Sequence, residues 1–170
     1  MAQSQAQPQD LAPMRLADQL ERGFRGGAWH GPAVMELLSG VDAELAQWRP
    51  GPAGHSLAET VGHLAYWLEN TRRQILGAFP LPGEPGSDWG PAELASEAAW
   101  RALCASLEEA HGELRAAILQ VEEGRLDEAR SGSDTTIRGL LLGTLQHNAY
   151  HAGQMALVRK LAEAAGEGLA

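Results

Sequence analysis

The sequence predicts an all-α protein, specifically an up-and-down four-helix bundle with one long crossover loop. Three observations predict it. Strand signals are nearly absent, because β-branched and aromatic residues are few and no segment alternates cleanly. Ala, Leu, Glu, Arg and Gln dominate instead, and apolar residues recur at three- and four-residue steps. A Pro- and Gly-rich stretch, 79–90, then separates the second periodic segment from the third.

The first ten residues, rich in Gln and lacking apolar periodicity, read as a disordered tail, with a single domain over 11–165. The first helix is expected from about Leu11 to Arg25, with Leu16, Leu20 and Phe24 four residues apart and Gly26-Gly27 ending it. A short helix follows Trp29-His30-Gly31-Pro32 through Val34, Leu37 and Leu38, and a further turn covers Asp42 to Trp48. Arg49-Pro50-Gly51-Pro52 is a break. Ser56 and Glu59 have capping-box spacing, so the second long helix starts near Leu57 and stops at Gly77. Its stripe is Leu57, Val61, Leu64, Leu68 and Ile75, with His63 at the edge. Pro91 suits the first turn of the third helix, which carries Trp100, Leu103, Leu107, Leu114, Ile118 and Val121. After a polar connection over 125–134, Thr135 or Thr136 caps a last helix to about Ala164. Its inward set runs through Leu140 or Leu141, Thr144, His147 or Asn148, His151, Met155, Val158 and Leu161.

Charge and composition exclude several classes. Acidic residues number 22 against 13 basic ones, giving a net charge of −9. Nucleic-acid binders draw their affinity from Lys and Arg neutralising phosphates, so no nucleic-acid partner is expected. The lone Cys104 rules out an intramolecular disulfide and a Cys-rich zinc finger; one turn from Trp100 and Leu107, it reads as a buried small residue. No signal-peptide pattern and no membrane span are read, which makes a cytoplasmic protein the expectation.

The anomaly is in the last helix. His147 and His151 stand where a plain bundle would carry Leu. Four residues apart on a helix, they share one face at about 6 Å. Two imidazoles so placed can clamp one metal ion, as in zinc proteases, but the Glu that serves those enzymes as base is replaced by Asn148. If His63 joins them across the bundle, three neutral imidazoles with an open fourth position make a catalytic-type site for zinc, nickel or ferrous iron. The alternative is three histidines hydrogen-bonded in a polar seam. His30 beside Trp29 is a pocket-edge candidate, whereas His55 reads as solvated and His111 as a surface residue at the margin of its helix. Glu-x-x-His occurs once, at Glu108 and His111, so a di-iron carboxylate site is set aside. No Gly-x-Ser-x-Gly elbow supports a serine hydrolase.

The segments Thr60-Val61-Gly62-His63-Leu64-Ala65-Tyr66-Trp67 and His147-Asn148-Ala149-Tyr150-His151-Ala152-Gly153-Gln154 resemble the DinB/YfiT-like metalloenzyme family, and Trp29-His30-Gly31-Pro32-Ala33-Val34 looks like one of its branches. The resemblance spans about Leu16 to Leu161. It implies a DinB-like four-helix bundle, usually a homodimer, with zinc or nickel held by His63, His147 and His151. It also implies a small-molecule substrate. Relatives include transferases that join a low-molecular-weight thiol to an electrophile and a thiol-dependent isomerase. A thiol S-transferase is therefore the first expectation. A hydrolase using metal-bound water and a non-catalytic bundle are the alternatives. Trp67, Tyr150 and Gln154 are candidates to support the histidine ligands or to line the pocket.

Overall fold

A computed structural model describes residues 11–78, 88–91, 93–130 and 132–167. Its helices are α1 (Ala12–Arg25), α2 (Val34–Leu38), α3 (Ala43–Gln47), α4 (Leu57–Ile75), α5 (Glu97–Leu119) and α6 (Ile137–Glu167), with a short 3-10 helix at Glu123–Asp127. No strand occurs among the described residues, only an isolated bridge between Ala129 and Thr136. The expected tail at 1–10 lies outside the described residues, as do residues 79–87 of the crossover stretch 79–90.

Local chemistry sets the boundaries. Pro13 stands in the first turn of α1, where its missing N–H costs nothing. The capping box at α4 forms as read: Ser56 Oγ accepts from Glu59 N at 3.2 Å, and Glu59 Oε2 accepts from Ser56 N at 2.9 Å. Gly77, at φ +84°, follows the end of α4 in a left-handed conformation that favours glycine. Thr136 Oγ1 accepts from Gly139 N at 3.0 Å and caps α6.

Three expectations need correction. Helix α5 begins at Glu97 and not at Pro91, because Ser96 Oγ accepts from Ala99 N at 3.2 Å and fixes the first turn there. The preceding residues are held otherwise: Leu94 N donates to Gln47 Oε1 at 2.8 Å. The connection after α5 is not purely polar, since the 3-10 helix within it buries Leu126 completely. In α6 the buried positions after His151 are Ala152, Met155, Val158 and Ala162, while Leu161 is exposed.

The four long helices close a ring in the order α1, α5, α4, α6, each packed on its two neighbours. Residue pairing gives their directions. Glu21 meets His111 and Arg25 meets Glu108, so α1 and α5 are antiparallel. His63 meets His147 while Thr71 meets Thr144, so α4 and α6 are antiparallel as well. Leu16 and Leu20 of α1 share one cavity with Leu141 and Leu145 of α6, and Gln19 and Gly23 share the next with Asn148 and Ala149, so α1 and α6 run in the same sense. It follows that α4 and α5 run parallel, an arrangement that requires the long crossover between them. The core is the set of inward faces, including Phe24, Leu64, Leu68, Leu107, Leu114 and Met155. Among the described residues, no helix is long and apolar enough to cross a membrane.

Candidate metal centre

His63 lies in the second turn of α4 and faces the middle of α6, where His147 and His151 lie on consecutive turns. One ring nitrogen from each of the three falls within 4.8 Å of the others. His63 Nε2 and His147 Nε2 are 3.1 Å apart, and the rings of His147 and His151 are 4.5 Å apart. His63 and His151 are buried and His147 is half-buried.

Burial holds all three imidazoles below their ordinary pKa, because the low-dielectric surroundings penalise the charged form. For His151, burial and the neighbouring imidazoles of His147 and His63 bring the value to about 4. The cluster is therefore neutral at pH 7, the protonation state a metal ligand needs.

The donor set fits a divalent ion. His63 Nδ1 lies 3.1 Å from the main-chain carbonyl oxygen of Asp88. As donor to that carbonyl, Nδ1 carries the proton and Nε2 keeps its lone pair, aimed at His147. His147 Nε2, 3.1 Å away, can meet that lone pair either by donating its own proton or by sharing a cation with it. The Nδ1 atoms of His147 and His151 are also buried without a hydrogen-bond partner among the described residues. Nitrogen donors suit zinc and nickel.

The histidines open onto a cavity of about 560 Å³ whose walls include Trp67, Trp89, Leu140, Gly143, Thr144 and Tyr150. Those walls are mostly apolar. Thr71 and Thr144 bond each other through their hydroxyls at 2.9 Å, tying α4 to α6 below the site.

A match to the DinB superfamily model covers residues 28–155. The chain belongs to the DinB superfamily. The bundle agrees with that membership: a conserved protein from Enterococcus faecalis, known from its crystal structure, has the same fold at a TM-score of 0.70 and 17% identity. The alignment covers 91% of this chain and 98% of that one. A search of curated proteins gives no match. Membership and the three-histidine cluster together fit a metal-dependent enzyme.

In this DinB-superfamily chain, the other residues singled out from sequence divide. Trp67 and Tyr150 line the histidine cavity. Gln154 is exposed; it donates to the Tyr150 hydroxyl at 2.9 Å and also bears on His151, whose pKa it raises. His30 does not reach the cluster; it edges a separate cavity of about 170 Å³ beside Asn148 and the fully exposed Trp29. His55 is exposed as expected at its edge, yet its ring stacks on Trp89 at 3.5 Å. His111 is a clear correction: it is 1% exposed, not at the surface.

Two residues of the site were missed in the sequence, Asp88 and Trp89. Trp89 is stacked between His55 and His63, its ring 4.1 Å from that of His63. Asp88 Oδ2 accepts from Trp67 Nε1 at 2.9 Å and lies 3.4 Å from His63 Nδ1. Both sit in a stretch that reads only as loop. The available signal was the glycine that follows them. Gly90 packs against Gly62 of α4 so closely that a Cβ on Gly90 would stand 2.6 Å from the Ala58 carbonyl oxygen.

Proposed function

We propose that this chain is a metal-dependent enzyme in which His63, His147 and His151 hold one zinc or nickel ion, and that it transfers a low-molecular-weight thiol to an apolar electrophile. The observation that carries this reading is the convergence of three neutral ring nitrogens, within 4.8 Å of one another, on the wall of a mostly apolar cavity. A divalent ion in such a site lowers the pKa of a bound thiol and so supplies a thiolate nucleophile at neutral pH.

The chain's own residues would bind and orient the second substrate. Trp67 and Trp89 flank the histidines and displace water from them. Leu140 and Gly143 continue the cavity along α6. Most polar groups of the wall are already engaged: Thr71 with Thr144, Trp67 Nε1 with Asp88, and the Tyr150 hydroxyl with Gln154. A ligand body made largely of apolar groups suits such walls, because it leaves no buried polar atom unpaired. One observation favours hydrolysis as a second reading: Asp88 is a carboxylate at the cavity. Its Oδ2, however, is taken by Trp67 and faces His63 from the side of Nδ1, away from the clustered nitrogens.

The decisive experiment is metal content by mass spectrometry on untagged protein beside the His147→Ala/His151→Ala double variant. About one divalent ion per chain in the parent and background in the variant supports the reading. Cobalt-substituted protein should then change its visible spectrum on adding a thiol. An unchanged spectrum at saturating thiol, with ester or amide turnover in its absence, would move the assignment to hydrolysis. A parent that takes up no zinc or nickel would make the histidines a polar seam in a non-catalytic bundle.

A further inference from the structure

His63 differs from the other two histidines of the cluster. Its outer nitrogen meets a main-chain carbonyl, whereas no well-formed hydrogen bond reaches the Nδ1 atom of His147 or His151 among the described residues. The partner of His63 comes from neither helix but from Asp88, at the end of the crossover between α4 and α5. The main-chain carbonyl of Asp88 accepts from His63 Nδ1 at 3.1 Å, and its carboxylate Oδ2 stands 3.4 Å from the same nitrogen. Oδ2 is in turn fixed by Trp67 Nε1, one helical turn beyond His63. The segment is anchored on its far side as well. Gly90 N donates to the Glu59 carbonyl at 3.0 Å, and the absence of side chains at Gly62 and Gly90 lets the two backbones touch.

We propose that Asp88 is a positioning residue for the metal ligand His63, and that the Gly62–Gly90 contact sets it in place. This rests on the metal reading given above. Two physical effects follow from the geometry. The carbonyl fixes the Nδ1–H tautomer and ring direction, so the Nε2 lone pair faces His147 and His151. The carboxylate supplies the negative charge that three neutral imidazoles lack; among the described residues lining the cavity, Asp88 is the acidic one. Partners of this kind raise ligand basicity and typically change metal affinity by about 10- to 100-fold.

The test compares zinc affinity, by competition with a chromophoric chelator, in the parent, Asp88→Asn and Gly90→Val. Asp88→Asn keeps an acceptor for Trp67 and the main-chain carbonyl but removes the charge, so affinity should fall about 10-fold or more. Gly90→Val should lower it further by lifting the segment off α4. Imidazole ¹⁵N spectra of the metal-free protein should show His63 as the Nδ1–H tautomer in the parent and in Asp88→Asn. A purely structural role would lower the unfolding temperature of Asp88→Asn and leave its zinc affinity within twofold of the parent, which overturns the proposal even if Gly90→Val fails to fold. A His63 carrying its proton on Nε2 in the metal-free parent overturns it too. A parent that binds no zinc fails the underlying metal reading instead, and the role of Asp88 falls with it.

Discussion

The bundle buries imidazoles on two opposite sides, and they are built for different ends. Between α1 and α5, His111 stacks on Phe24 at 3.8 Å and bonds Glu21 Oε2 through Nε2 at 2.9 Å. Between α4 and α6, His63, His147 and His151 turn nitrogen atoms toward one another, and the Asp88 carboxylate stands outside the cluster, 3.4 Å from His63 Nδ1. Burial lowers the pKa in both places. The difference lies in what the ring nitrogens face. One imidazole with an acid opposite it is a joint between helices; three imidazoles facing each other could hold a cation. Burial of a histidine is thus uninformative by itself, and the partner of each nitrogen decides.

The sharpest way to break the comparison is to remove one histidine from each side. His151→Ala should drop zinc binding by at least about 100-fold, since a three-ligand site becomes a two-ligand one. It should leave the metal-free protein folded. His111→Ala should do the reverse, keeping the metal while costing about 2 kcal/mol through the lost stack and the unpaired Glu21. Metal analysis and thermal unfolding of the two variants read both effects. Metal loss in His111→Ala with the fold intact would contradict the division.

Acid should expose the same division. An imidazole whose folded pKa lies below about 6.5 makes the protein less stable as pH falls through that value, because the unfolded chain takes up the proton first. Glu21 is held below its usual range by the hydrogen bond to His111, so its contribution is present above the ordinary carboxylate pKa and is lost as pH falls through the folded value. Both sides therefore destabilise the metal-free protein in acid. For the cluster the loss extends down to about pH 4, where His151 itself protonates. Saturating zinc should raise stability at every pH yet leave the cluster's loss in acid at least as steep, because the zinc-bound histidines take up no proton while the unfolded chain still does; His111→Gln should remove the share of His111. Unfolding temperatures from pH 7.5 to 5, with and without zinc, test the additivity.

What could be read in the sequence follows the range of the interactions. The starts of α1, α4 and α6 rest on caps, prolines and four-residue spacing, all local, and they fall where expected. His147 and His151 are neighbours through helix geometry alone. Asp88 and Trp89 join the site only because two glycines 28 positions apart, Gly62 and Gly90, let a loop settle on α4. No periodicity records such a contact. His111 misled for the same reason: its burial depends on Phe24 and Glu21, which are 87 and 90 residues away. The late start of α5 is a competition between two local signals, Pro91 and Ser96, which the Ser96 cap wins.

Gly143 sharpens the comparison at the cavity itself. It is an α6 residue one turn before His147, and a Cβ built on it meets nothing within 4 Å. Gly143→Leu should therefore extend into the cavity without displacing a neighbour. Helix propensity alone favours the change by roughly 0.5–1 kcal/mol, so the variant should unfold no earlier than the parent. Zinc content should be unchanged, because the histidines are not touched. Binding of an apolar ligand, followed through Trp67 and Trp89 fluorescence, should weaken about 10-fold. Unaltered ligand binding would place the substrate elsewhere.

The smallest effect belongs to Thr71 and Thr144, whose hydroxyls meet at 2.9 Å between α4 and α6. Thr144 Oγ1 also donates to the Leu140 carbonyl at 2.9 Å, which leaves Thr71 as the donor across the helix interface. Thr71→Val preserves shape and removes that donor. The cost should be about 1 kcal/mol, the usual net worth of one hydrogen bond plus a buried acceptor left half-satisfied. Thr144→Val also loses the bond to Leu140, yet that bond slightly opposes the helix, so its cost should be no greater. The double variant should then cost less than the sum, because replacing both hydroxyls leaves neither unpaired. Chemical denaturation of the three variants measures that coupling. A simple sum would mean the two hydroxyls do not hold α4 to α6, and the spacing of His63 from His147 would have to come from the apolar packing of Leu64, Leu68 and Leu141 alone.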